Sequence, residues 1–78
     1  MKFDEEKITK DILREAKAVG VSDDVAKVVT AKIVTAVTKW ATKRPAITEA
    51  DLNRRIAKEA EKYSANLAYV YQNRGKII

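Results

Sequence analysis

Gly20, Pro45 and Gly75 are the only glycine and proline residues in a chain of 78. Hairpin-rich β proteins spend glycine and proline at turn after turn, so three such residues are too few for a sheet of many short strands. Long stretches without a turn signal favour helices instead. A chain of this length supports one hydrophobic core and buries only about 60% of its unfolded surface. The expectation is therefore an all-α fold in a single domain, residues 1–78. It takes the form of a small four-helix bundle with three main helices and a short C-terminal one.

The residues around these breakers define the helices. Asp4 is a good N-cap, and Glu5 and Glu6 lie in the first turn, where the helix dipole favours acids. Ile8, Ile12, Ala16 and Val19 recur every three or four residues and share a face, and Gly20 suits the left-handed position that ends a helix. Ser22 begins a second helix over about residues 23–43, with Asp23 and Asp24 in its first turn and Lys39, Lys43 and Arg44 near its negative end. Pro45 stops it.

The apolar residues of this second helix spread over a wide arc. Val25, Val29, Ile33, Ala36, Val37 and Trp40 form its main stripe, while Val28, Ala31, Val34 and Ala41 lie beside it, which places the helix centrally in the bundle. Its many valines and threonines are β-formers, so a strand through Val28–Val37 is the rival reading. About twenty residues without a turn is too long for an ordinary strand. Ile47 to Leu52 reads as a helix start: Thr48 caps, Asp51 reaches back, and Ile47 and Leu52 form a hydrophobic staple. Leu52, Ile56, Ala60 and Tyr63 continue the stripe to about residue 62. Ser64 then caps a fourth helix carrying Leu67, Ala68 and Tyr71, with Gly75 past its end, unless the third and fourth segments are one helix kinked near Tyr63 and Ser64.

The chain contains no cysteine and no histidine. Disulfides, thiolate metal sites, cysteine nucleophiles and the usual general base are thereby excluded. Two glycines cannot build a P-loop or a dinucleotide-binding turn, and the paired acids are helix-end dressing. No catalytic residue, enzymatic activity or metal site is expected. No apolar run is long enough to span a membrane, and the acidic start is unlike a signal peptide, so a cytoplasmic location is expected.

Sixteen lysines and arginines against eleven acids give a net charge of +5, which favours a polyanionic partner. Two basic stripes stand out. Lys7, Lys10, Arg14 and Lys17 share a face opposite Ile8 and Ile12, and Arg54, Arg55, Lys58 and Lys62 run beside the apolar face of the third helix. Both stripes suit a solvated surface or a phosphate-facing one. On the second reading, Lys10, Arg14, Lys17, Arg54, Arg55, Lys58 and Lys62 are nucleic-acid contacts, and Tyr69, off the apolar face, stacks on a base. Trp40, Tyr63 and Tyr71 fit the core.

Phe3-Asp4-Glu5-Glu6-Lys7-Ile8, Ile47-Thr48-Glu49-Ala50-Asp51-Leu52 and Leu67-Ala68-Tyr69-Val70-Tyr71 occur in an order and spacing that resembles the ATP-cone domain. This is the adenine-nucleotide-sensing module of ribonucleotide reductases. The segments are similar to the family's F-D-x-E-K-I opening, its V/I-T/S-x-x-D/E-I helix start and its closing V-A-x-x-Y. The likeness runs over nearly the whole chain. It implies a regulatory or interaction module in which Lys7 faces phosphate and Asn53 supplies a polar contact on the third helix. The family's initial β-hairpin, with its V-x-K-R-x-G basic pair, has no counterpart in a chain opening Met1-Lys2-Phe3. Its closing tyrosine-arginine pattern is replaced by Gln72-Asn73-Arg74-Gly75. Weak or lost binding of ATP or dATP is therefore expected, together with a homodimer or protein partner covering apolar surface that the hairpin would hide.

Overall fold

The computed structural model describes residues 4–74, which form four α-helices and no strand: α1 (Glu5–Ala18), α2 (Asp23–Thr42), α3 (Glu49–Ala60) and α4 (Ala65–Arg74). Phe3 of the opening motif and Gly75 beyond α4 lie outside the described residues.

The helix ends form where short-range chemistry places them. The Asp4 carboxylate accepts the Lys7 N–H at 3.1 Å, satisfying a donor that the first turn leaves without an intrahelical partner. At the other end of α1, Gly20 adopts φ +91°. The Gly20 N–H donates to Lys17 C=O at 3.1 Å and the Val21 N–H to Ala16 C=O at 3.0 Å, the paired bonds of a Schellman motif. Ser22 starts α2 through its carbonyl, which accepts the Ala26 N–H at 2.7 Å; its hydroxyl makes no capping bond. Thr48 Oγ1 accepts the Asp51 N–H at 3.1 Å, and Ile47 and Leu52 on either side of that cap are both buried. Ser64 Oγ accepts the Leu67 N–H at 3.2 Å. With that cap, α3 and α4 are separate helices joined by a turn at Glu61–Tyr63, and α3 ends at Ala60 rather than near 62.

The helices pack around a ring: α1 on α2, α2 on α3, α3 on α4, and α4 back on α1. The backbone of α2 comes close to α1 and α3 but not to α4, so the helix occupies one side of the ring and not its centre. Ile12, Ala16, Ala26, Ile33, Val37, Ala60, Leu67 and Tyr71 are completely buried within the ring. Burial of this kind stabilises by about 25 cal/mol per Å² of apolar surface.

Two side chains expected in the core lie outside it. Val25 is 52% exposed and Tyr63 44% exposed. The buried face of α2 is Ala26, Val29, Thr30, Ile33, Val34, Val37 and Ala41, turned about one residue from the expected stripe. Alanine at 26 and 41 is small enough to face a neighbouring helix closely, whereas valines at 25 and 28 are left at the surface. Tyr63 belongs to the α3–α4 turn, where helical spacing no longer predicts direction. Trp40 is half-buried, Tyr71 is wholly buried and Tyr69 is 63% exposed.

Candidate ligand-binding grooves

The first turns of α1 and α3 and the last residue of α4 border an open groove of about 1320 Å³. Lys7 from α1 and Asn53 from α3 both line it, above an apolar floor of Ile8, Leu52 and Ile56. Lys7 has no carboxylate within ion-pair distance among the described residues, and the Asn53 amide has no hydrogen-bond partner among them. The other cations of the groove are engaged. Lys10 Nζ sits 3.4 Å from Glu6, Arg14 reaches Asp11 Oδ1 at 2.6 Å, and Arg74 bridges Asp11 at 2.6 Å and Glu15 at 2.8 Å. Asp4, Glu5, Glu6, Asp11 and Glu49 also border the space, so its wall carries slightly more negative than positive charge. Helix N-termini attract anions, but these acids already occupy that role.

Asp11 lines this groove and joins α1 to α4. Burial pushes its carboxyl up, and hydrogen bonds from Tyr71 and Arg74 and the charges of Arg74 and Arg14 more than reverse that, leaving it below its ordinary value. Burial also draws the Arg74 guanidinium down, but Asp11 outweighs it and the net direction is upward.

The two basic stripes prove to be largely neutralised within the fold. Besides the pairs of Lys10 and Arg14, Lys17 lies 3.6 Å from Asp23. On α3, Arg54 pairs with Asp51 at 2.8 Å and Arg55 with Glu59 at 3.1 Å, and Lys62 in the turn after α3 pairs with Glu59 at 2.9 Å. The Arg54 guanidinium, then the Thr48 cap, hold the exposed Asp51 carboxyl below its usual range. Only Lys7 and Lys58 of the eight stripe residues lack an ion pair among the described residues. Except for Lys17 and Asp23, which join α1 to α2, helical spacing brought acids to the same faces at i, i+3 and i, i+4, where such pairs form readily.

A second groove, of about 810 Å³, lies between the end of α2 and the second half of α3 with the turn that follows it. Lys39, Lys43, Arg44, Arg55 and Lys62 line it around Trp40, with Glu59 as the one acid of its wall. The Arg44 guanidinium stands 4.9 Å from the centre of the Trp40 ring and that of Arg55 at 6.0 Å, within the range of a cation–π attraction. Lys39, Lys43 and Arg44 read in sequence as complements to the α2 dipole, and Trp40 as a core residue. The missed signal was the i, i+3 and i, i+4 spacing of these cations about a tryptophan at a helix end. Their meeting with Arg55 and Lys62 depends on the packing of α3.

Among the described residues, no three acids gather to hold a metal ion, and no helix is long and apolar enough to cross a membrane. Compared with known proteins, the chain matches no protein-family model, no curated protein and no solved structure.

Proposed function

We propose that the chain is a non-catalytic, cytoplasmic regulatory module, akin to an ATP cone, that takes up an adenine nucleotide weakly between α1 and α3. The observation that carries this reading is the meeting of Lys7 and Asn53, from two helices far apart in sequence, on one groove with an apolar floor. An adenine ring fits against Ile8, Leu52 and Ile56, the Lys7 ammonium neutralises phosphate, and the Asn53 amide offers a donor and an acceptor to the base or sugar. Affinity is low because Glu5, Glu6 and Glu49 on the groove wall repel a triphosphate. A millimolar dissociation constant corresponds to about −4 kcal/mol.

Calorimetric titration with ATP and dATP tests the reading. The expected result is millimolar binding that Lys7→Ala and Asn53→Ala each weaken and Glu5→Gln/Glu49→Gln strengthens. Absence of heat at millimolar nucleotide, or binding indifferent to both single variants, overturns it.

The alternative, a basic helical domain that binds nucleic acid along the two stripes, is less well supported. Six of those eight residues have ion pairs that a phosphate backbone would have to displace. A homodimer belongs to the same proposal, with Val25 and Val28, 52% and 54% exposed on α2, as its contact.

A further inference from the structure

The second groove concentrates more unpaired positive charge than any other feature among the described residues, and it does so around an aromatic ring. Lys39, Lys43 and Arg44 have no carboxylate within ion-pair distance there, while Arg55 and Lys62 share the single carboxylate of Glu59. As dipole complements, the three cations of the α2 terminus need no partner helix. The groove nevertheless adds Arg55 from α3 and Lys62 from the turn after it, and it holds the Arg44 and Arg55 guanidiniums against Trp40. Cations already placed by stacking lose less side-chain freedom when an anion arrives.

We propose that this groove binds a single strand of nucleic acid, its phosphates on Lys39, Lys43 and Arg44 and a base against the open part of Trp40. Five cations and one acid supply the electrostatic attraction, and the indole supplies a stacking surface that every base can use. Bases in a duplex are already stacked on their neighbours and paired, so a single strand uses the indole of this groove and a duplex does not. An acidic peptide would satisfy the cations but leave the indole unused. The site is separate from the Lys7–Asn53 groove, so the two readings stand or fall independently.

Fluorescence anisotropy with labelled oligothymidylate at low salt tests the proposal, with Trp40 emission as a second readout because it is the only tryptophan in the chain. The expected result is saturable binding that quenches Trp40 and weakens with salt by about −0.7 per neutralised phosphate in the log–log plot. Lys43→Glu/Arg44→Glu, both at exposed positions, is expected to weaken binding by at least about tenfold. Lys27→Glu/Lys32→Glu, with the same change in net charge at exposed positions outside both grooves, is expected to weaken it by less than about threefold, as long-range attraction alone requires. The duplex of the same sequence is expected to bind less tightly. Equal losses in the two double variants, unchanged Trp40 emission, no binding at low salt, or polyglutamate quenching Trp40 as effectively would each overturn it. Circular dichroism of the variants separates lost binding from lost folding.

Discussion

The Tyr71 hydroxyl donates to Asp11 Oδ2 at 2.5 Å, joining α4 to α1 across 60 residues of chain. Tyr71 is completely buried, so its hydroxyl must find a partner inside the fold. Arg14 reaches the other oxygen of Asp11, and Arg74 shares Oδ2 with the tyrosine. A single carboxylate therefore ties the last helix to the first. Tyr71→Phe removes one hydrogen bond to a charged group and is expected to cost about 1.5–2 kcal/mol. Thermal unfolding checks this, at about 4–8 °C of Tm per kcal/mol in a domain of this size.

The same pair makes stability depend on pH at both extremes. Asp11 lies below its ordinary 3.8 in the folded state, so its contribution is complete above that value and is lost as pH falls through the lowered folded value. Burial first, and then Asp11, push the Tyr71 phenol above its ordinary 10.0. Its contribution is complete below pH 10 and declines as pH rises further. Urea unfolding across pH is expected to show both losses, with Asp11→Asn flattening the acid limb and Tyr71→Phe the alkaline one.

Thr30 is 2% exposed on the inner face of α2, and its hydroxyl has no hydrogen-bond partner among the described residues. A buried hydroxyl left unpaired carries a desolvation penalty of about 1–3 kcal/mol. Thr30→Val keeps the shape and removes the polar atom. Chemical denaturation is expected to find the variant about 1 kcal/mol more stable; equal or lower stability would show that the hydroxyl is satisfied.

Gly20 ends α1 at φ +91°, and a Cβ there would meet nothing within 4 Å. Any penalty for a side chain is therefore backbone strain and not crowding. Gly20→Ala is expected to lose about 1 kcal/mol, and Gly20→Asn less, since asparagine tolerates the left-handed region better. Equal losses in thermal melts would point away from the backbone.

Glu59 is 5% exposed and neutralises Arg55 and Lys62. Glu59→Gln frees both cations toward the Trp40 groove. Single-stranded oligonucleotide binding is expected to tighten and its salt dependence to steepen by about 0.7–1.4, while thermal stability falls because the half-buried Arg55 loses its partner. Unchanged affinity would place the strand elsewhere.

The helix boundaries were open to reading because a cap is a local bargain: Asp4, Gly20, Thr48 and Ser64 each act on backbone groups within four residues. The separation of α3 from α4 was the one boundary left open, and the Ser64 cap resolved it. As nucleotide contacts, Lys7 and Asn53 were named from resemblance alone, and their sharing of one groove depends on how α1 and α3 pack. The stripes were visible by spacing, but spacing equally placed Glu6, Asp11, Asp51 and Glu59 beside them, and a count of cations does not reveal which are already paired.

The order of residues was enough to establish an all-helical chain and the ends of its helices, since capping, dipole charge and glycine φ act over a single turn. It was not enough to choose the rotation of α2. That helix is apolar on several sides, and the stripe read from spacing ran through Val25, whereas the neighbouring helices took the small Ala26 to the inside. Packing likewise set Tyr71 on Asp11 and closed Arg55 and Lys62 around Trp40, because those contacts join separate helices and carry no periodic trace in any one of them.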